Sequence, residues 1–285
     1  MAIYKPSELL AFLESLGISP KRALSQNFLI DRNILHKIVK TAEISPGDLS
    51  LEIGPGPGSL TEELLNAGAH VIAVEKDHVL AHALQRLNPA AGSLEIYNDD
   101  ILLFPVEEIC RAKMASGKKA KVIANLPYHL TTPIITMLVP MRHLFSHLIF
   151  MVQDEVAMRY VAKPDTSDYS SFTLFLNFYT NPHYAFQVSR SCFYPSPKVN
   201  SAIIVLELKE PPKVSDEEKF FQLTRKAFHQ RRKMLRSSLK ELYSPDKVEA
   251  ALDEVGLNRL ARPGELSLEQ FIAFFERLQI IVIDA

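Results

Sequence analysis

Cysteine is almost missing from this chain of 285 residues, where only Cys110 and Cys192 occur. Two isolated thiols exclude a disulfide framework and the paired-cysteine spacing of zinc modules, and they suit a reducing cytoplasm. Histidine does not fill the gap. His78 and His82, like His143 and His147, have the four-residue spacing of zinc ligands on a helix. Neither pair carries the glutamate of H-E-x-x-H and no third ligand is evident, so no metal is expected. An apolar run long enough for a bilayer is lacking as well. The longest candidate, Ile134 to Val152, is interrupted by Pro140, Arg142, His143 and His147, and no membrane-spanning segment is expected. Met1 to Gly17 is amphipathic and holds Glu8 and Glu14, unlike a signal peptide. Internal repeats and low-complexity segments are absent.

There is no excess of positive charge either: the formal net charge is −1. That total argues against a nucleic-acid partner, but the distribution of charge matters more. Arg111 to Lys121 holds five basic residues (Arg111, Lys113, Lys118, Lys119, Lys121) and no acid. Gln222 to Lys240 holds seven (Arg225, Lys226, Arg231, Arg232, Lys233, Arg236, Lys240), again with no acid. Charge runs are commonly solvated faces. Beside a site that reads nucleobases they would instead meet RNA phosphates, the second run above all. Apolar residues make up 47%, enough for a proper core, and the length suits one large domain plus a small one.

What is present points to such a site. Asn125-Leu126-Pro127-Tyr128 directly follows Lys121-Val122-Ile123-Ala124, which reads as a strand. An Asn at a strand's carboxyl end can offer its side-chain oxygen as an acceptor. Pro127 fixes the backbone beyond and has no N–H to donate. The carbonyl before it can then be a second acceptor, and Tyr128 supplies a flat aromatic face. Two acceptors and a ring suit a planar heterocycle with an exocyclic amine, such as adenine or cytosine. An ordinary proline turn with a packed tyrosine would show the same four residues.

A second motif shifts that balance. Leu51-Glu52-Ile53-Gly54-Pro55-Gly56-Pro57-Gly58-Ser59-Leu60 reads as a strand end, a glycine-rich turn and the start of a helix running to Ala67. Glycines there allow φ > 0 and close approach of a ligand. The strand His70 to Glu75 ends in a carboxylate 21 positions after Gly54, the place of an acid that binds ribose hydroxyls. Ser93 to Tyr97 ends in Asn98-Asp99-Asp100, where an acceptor could meet an adenine amine. Gly54, Glu75, Asp100 and Asn125 thus lie at carboxyl ends of strands, the ligand edge of an open α/β sheet. A dinucleotide site shares the glycine turn and distal acid. Here, however, the third glycine comes one residue early and no second mononucleotide half follows, which favours S-adenosylmethionine.

The chain is expected to fold as α/β. Helices flank the Ser25-to-Leu29 loop, Ser7 capping Glu8 to Leu16 and Asp31 capping Ile34 to Thr41. From 49 to 153, strands and helices alternate as in a parallel sheet, with a fifth strand at Leu144 to Met151. His183 to Ser189 and Ser201 to Leu208 suit a terminal antiparallel pair. Glu210-Pro211-Pro212-Lys213 marks a linker, and helices follow over Asp216 to Arg236, Pro245 to Leu252 and Leu268 to Leu278. The reading is a Rossmann-like methyltransferase domain with an N-terminal helical extension over 1–210, mostly parallel with an antiparallel last strand, and a small all-helical domain over 214–285, RNA- or ribosome-binding by the resemblance that follows.

In order, Ser25-Gln26-Asn27-Phe28-Leu29, the Glu52-to-Gly58 turn, Glu75, Asp100, Asn125 to Tyr128, Met151-Val152-Gln153 and Glu155-Val156-Ala157 resemble the small-subunit ribosomal RNA adenine dimethyltransferases of the KsgA type. Phe193-Tyr194-Pro195-Ser196-Pro197-Lys198-Val199 and Gln230 to Leu235 extend the resemblance over nearly the whole length. It implies that Asn27, Leu29, Gly54, Glu75, Asp100 and Asn125 contact S-adenosylmethionine, and that Asn125, Leu126, Pro127 and Tyr128 hold the target adenine. Phe193 or Tyr194 would stack on the base across from Tyr128, with core packing an equal alternative for both. Arg231, Arg232 and Lys233 would hold RNA. The substrate implied is small-subunit rRNA in an immature small ribosomal subunit, and nothing demands more than a monomer. Two departures stand out: Ser25 replaces the usual glycine, and Tyr169-Ser170-Ser171-Phe172 lacks the usual glycine and basic residue. Neither touches the expected chemistry. A large-subunit rRNA adenine methyltransferase of resistance type and a non-catalytic RNA-binding assembly factor are the rival readings, with a dehydrogenase a distant third.

Overall fold

A computed structural model of the chain describes residues 3–19, 27–88, 92–115, 117–126 and 130–283. It divides into two compact units, residues 1–157 with 183–209, and residues 158–182 with 210–285.

The first unit begins with α1 (Pro6–Ser15). Its start is set by Glu8 rather than Ser7: the carboxylate reaches back to the Tyr4 and Lys5 N–H groups at 2.8 and 3.0 Å, donors that a helix end leaves unpaired. A short strand β1 (Phe28–Leu29) leads into α2 (Arg32–Thr41), where Asp31 Oδ1 accepts from the Ile34 N–H at 3.1 Å as expected. Then β2 (Leu49–Ile53), α3 (Ser59–Asn66), β3 (His70–Glu75), α4 (His78–Ala83), β4 (Leu94–Asn98), α5 (Val106–Lys113), β5 (Ala120–Asn125), α6 (Thr131–Leu138) and β6 (Phe145–Gln153) alternate. Helices α7 (Asp154–Tyr160) and α8 (Ser171–Tyr179) come next, followed by β7 (Thr180–Val188), β8 (Phe193–Tyr194) and β9 (Ser201–Leu208).

Seven strands form one sheet in the order β4-β3-β2-β5-β6-β9-β7. The pairs from β4 through β6 are parallel, and β9 runs antiparallel to β6. Strands of a parallel sheet are covered on both faces and read as continuous apolar runs. Val71 to Val74, Val122 to Ala124 and Leu148 to Val152 are all buried accordingly. Order reverses at β2: the chain moves outward to β3 and β4, then returns to β5 on the other side. Ligands of open α/β sheets bind at such a switch point.

The second unit is helical: α8 with α9 (Glu217–His229), α10 (Leu235–Ser238), α11 (Pro245–Glu254) and α12 (Leu268–Ile283). Asp216 and Ser244 cap α9 and α11 through the Lys219 and Lys247 N–H groups. The sequence reading places 158–182 in the first domain, yet this segment clusters with the second unit. Its aromatic side chains explain why. Phe178 and Tyr179 of α8 meet Phe220 and Phe221 of α9 with ring centroids 5.1–5.8 Å apart, and Phe220 meets Phe275 at 5.5 Å. Such large rings dominate core energetics.

One helix is shorter than its periodicity suggests. Asp216 to Arg236 reads as continuous, but α9 ends at His229 and residues 230–234 form a turn. The Leu235 N–H bonds the Ala261 carbonyl at 2.9 Å instead of continuing the helix ladder.

Candidate active site

Register aligns the strand ends. Ile53 pairs with Val74 and Ala124, Glu75 with Asn98, and Asn125 with Met151. Asp100, Glu75, Gly54 and Asn125 therefore follow the carboxyl ends of four neighbouring strands, as the sequence predicts. The Gly54-to-Gly58 turn takes positive φ at all three glycines, 65°, 57° and 86°, values that cost L-residues strain.

Glu75 holds this turn. Its Oε2 accepts from the Gly56 N–H at 2.9 Å and its Oε1 from the Asp77 N–H at 2.8 Å. The carboxyl is buried, and burial raises its pKa above the usual carboxylate range. A carboxylate has about four acceptor sites, so two backbone donors leave capacity for hydroxyls. Asp100 is gripped differently. Lys76 Nζ lies 2.7 Å from its Oδ2, the Leu102 N–H 3.1 Å from its Oδ1, and Lys76 above all lowers its pKa. Because the Lys76 side chain is 72% exposed, a ligand amine can displace it at little cost. Asn98 Nδ2 donates to the Glu75 carbonyl at 2.9 Å and ties β4 to β3 here.

Asn125 is oriented by a residue far away in the chain. Its Nδ2 donates to the Asn27 carbonyl at 3.1 Å. Since that bond needs the amide nitrogen, the oxygen is the atom presented on the other side. Asn27 leads into β1, which pairs antiparallel with β8, Leu29 opposite Phe193 and Phe28 opposite Tyr194. The same pairing decides where the two aromatic candidates sit. Phe193 is 4% exposed, in one apolar cluster with Leu29 and Met151. Tyr194 is half-buried against the cluster of Phe28 and Leu80. Leu126 is buried, while Pro127 and Tyr128 lie outside the described residues, as does Ser25.

Glu52 is a functional candidate the motif reading passes over. It is fully buried in β2, and its Oε2 has no hydrogen-bond partner among the described residues. Burial pushes its pKa up to about 8, and the neighbouring Glu75 charge adds to the rise. A carboxyl interrupting Leu51-Glu52-Ile53 is the signal that could have revealed it, since buried polar groups ordinarily find partners.

These residues fit a nucleoside-bearing methyl donor. A Cβ at Gly54 would meet nothing within 4 Å among the described residues, so the backbone at that glycine faces open space, and acceptors for hydroxyls and amines stand on either side. Among the described residues no group of three or more His, Cys, Asp or Glu could hold a metal ion, and no helix is long and apolar enough to cross a membrane.

Residues 18–280 match the sequence profile of the ribosomal RNA adenine dimethylases. The chain belongs to that family. A relative in Protochlamydia amoebophila, named ribosomal RNA small subunit methyltransferase A, is 60% identical over 278 residues, covering 98% of each chain. A protein of the same name in Chlamydia trachomatis is 44% identical, covering 99% of this chain and 100% of its own. Among solved structures, a dimethyladenosine transferase from Plasmodium falciparum superimposes with a TM-score of 0.72 at 27% identity, covering 86% of this chain and 94% of that one. The 23S rRNA methyltransferase ErmE gives 0.67 at 29% identity, with 89% and 100% covered. The fold is thus that of the S-adenosylmethionine-dependent methyltransferases, and this rRNA adenine dimethylase uses S-adenosylmethionine.

The second unit carries the basic residues picked out by charge. Arg232 and Lys233 are exposed in the 230–234 turn. Arg231 instead donates through both terminal nitrogens to the Thr166 and Ser167 carbonyls. A cleft of about 460 Å³ nearby is lined by Arg159, Arg225, His229 and Arg231. The other basic run is largely paired: Arg111 with Glu107 at 2.6 Å, Lys113 with Glu95 at 2.8 Å and Lys121 with Asp48 at 3.2 Å. Lys118 and Lys119 are exposed, as are Arg111 and Lys113 despite their ion pairs.

Proposed function

We propose that this adenine dimethylase methylates the exocyclic N6 of two adjacent adenosines in a hairpin loop near the 3′ end of small-subunit (16S) rRNA, giving N6,N6-dimethyladenosine. The observation that carries this reading is the Asn125 amide at the carboxyl end of β5, its nitrogen engaged by the Asn27 carbonyl so that its oxygen is the group it can offer a ligand. An adenine amine is a poor nucleophile because its lone pair is delocalised into the ring. Accepting its two N–H bonds, through Asn125 Oδ1 and the Leu126 carbonyl, localises that pair and aims it. S-adenosylmethionine, when bound, supplies an electrophilic methyl on a sulfonium. Orientation of this kind contributes up to about 7–11 kcal/mol, and the methylated amine then loses its proton to water.

Asn27, Leu29, Gly54, Glu75, Asp100 and Asn125 would line the cofactor site, Glu75 at the ribose and Asp100 at the adenine amine. Tyr128 and either Phe193 or Tyr194 would enclose the target base, stacking being worth about 1–3 kcal/mol per base. The base must leave its stack to enter, which suits a loop. Arg232 and Lys233 would meet rRNA phosphates, with Arg231 shaping the loop beside them. An immature small subunit is the partner, the methylation a late step of its assembly in the cytoplasm, and the enzyme works as a monomer. The relatives' names favour the small over the large subunit.

Mass spectrometry of small-subunit rRNA from cells with and without this protein tests the reading. Two adjacent dimethyladenosines should disappear with the protein; their persistence would sink it. Methyl transfer to naked large-subunit RNA but not to immature small subunits would favour the large-subunit rival.

A further inference from the structure

The glycine-rich turn is gripped from behind by a side chain outside every motif. Arg86 stands in the 3-10 turn Leu84–Leu87 that continues α4. Its Nη2 donates to the Pro57 carbonyl at 2.6 Å and its Nη1 to the Ala83 carbonyl at 3.2 Å. Its guanidinium carbon lies 4.6 Å from the centroid of the Phe12 ring on α1. Gly58 packs on the same 3-10 turn: a Cβ there would come within 2.7 Å of Leu84 Cδ2 and Leu87 Cδ1, and 3.6 Å of Arg86 Nη1. The aromatic ring thus covers the guanidinium face while its edge holds the turn.

The segment bearing Phe12 is itself fastened to the helix that follows the turn. Ser59 Oγ donates to the Ile3 carbonyl at 3.0 Å, and the Tyr4 hydroxyl donates to Glu63. Glu63 also meets His36 Nε2 at 2.7 Å. Residues 3–12 therefore hold α3 directly and the preceding turn through Arg86. A turn with three glycines at positive φ has much backbone freedom to lose when it closes on a ligand. Any contact that holds it in the binding shape beforehand raises affinity.

We propose that Arg86 is a positioning residue for the methyl-transfer reaction: with Phe12 it holds the glycine-rich turn in the shape that takes the cofactor, so that α1 sets cofactor affinity without touching the ligand. This rests on the reading that the turn binds S-adenosylmethionine. Lysine could reach the Pro57 carbonyl but lacks the planar face that stacks on Phe12.

The test is calorimetric titration of the full chain with S-adenosylmethionine, with kinetics on immature small subunits. Arg86→Ala should raise the Kd and KM for the cofactor by about 3–10-fold, the effect of one ordered element lost, while kcat, the KM for the particle and the melting transition stay at wild-type values. Arg86→Lys should recover part of the affinity. Phe12→Leu should act in the same direction, and adding it to Arg86→Ala should cost nothing further, because the two share one contact. Unchanged cofactor affinity in Arg86→Ala, or strict additivity in the double variant, overturns the proposal. Asp100→Ala separates the two readings. If it weakens cofactor binding and Arg86→Ala does not, only the positioning role fails. If neither variant affects binding, the assignment of the site fails too.

Discussion

Asn125 shows how one side chain acquires a chemical direction. A free amide presents donor and acceptor with equal ease; the Asn27 carbonyl at 3.1 Å takes the donor, and on the proposed function the acceptor is then the group offered to the target amine. Asn125→Ala removes both the acceptor and the tie to Asn27. Methyl transfer to immature small subunits should fall by at least ~100-fold, the cost of a misplaced reacting group, with the melting transition little changed. Transfer of radiolabelled methyl at the wild-type rate would contradict its role. Glu52 makes a different prediction. Its pKa rises from the usual 4.5 to about 8 in the folded chain, so folding favours the protonated form. The stability that this proton sustains is complete below about 4.5 and is lost as pH climbs towards about 8. Glu52→Gln should flatten the decline in denaturant midpoint across that window. An unchanged slope would mean that Glu52 titrates normally.

At the scale of elements, the glycine-rich turn and the strand ends were readable because each depends on local chemistry. Glycine at positive φ needs no partner to be recognised, and apolar runs such as His70 to Glu75 announce buried strands. Gly58→Ala should cost about 1–2 kcal/mol from φ alone, and more because its Cβ would press on Leu84 and Leu87 at 2.7 Å. Thermal denaturation with and without S-adenosylmethionine measures both losses; a variant as stable as wild type would show that the turn relaxes freely. The end of α9 was not readable in the same way. Arg231 and Leu235 leave the helix for the carbonyls of Thr166, Ser167 and Ala261, partners far off in sequence. Periodicity carries no trace of such bonds, so Gln230 to Leu235 reads as a basic helix when it is a basic turn.

For the whole molecule, total charge conceals function and distribution reveals it only in part. Both basic runs are partly ion-paired, Arg111, Lys113 and Lys121 with Glu107, Glu95 and Asp48 and Lys226 and Arg236 with Glu241 and Glu249, while Arg232 and Lys233 stand exposed in the 230–234 turn as the better candidates for phosphate. Reversing both, Arg232→Glu with Lys233→Glu, should weaken binding to small-subunit rRNA and make the salt dependence shallower by about one unit per lost phosphate contact. Cofactor affinity should not change. Binding with an unaltered salt slope would exclude both residues from the RNA surface. The second unit depends on its aromatic core, where Phe178 is fully buried among Tyr179, Phe220 and Phe221. Phe178→Ala should lower stability by about 3–5 kcal/mol, read as a shift in the denaturant midpoint.

The succession of strands along the chain, the glycine turn and the places of Glu75, Asp100 and Asn125 at strand ends were legible in the amino-acid sequence alone, because propensity, periodicity and spacing act over a few neighbouring residues. Only the tertiary structure decided that Asn27 aims Asn125, that Phe193 is buried beside Leu29, that 158–182 joins the helical unit, and that Arg86 and Phe12 clamp the turn. Each of these is a contact between residues distant along the chain, and no local pattern specifies which distant partner a side chain will meet.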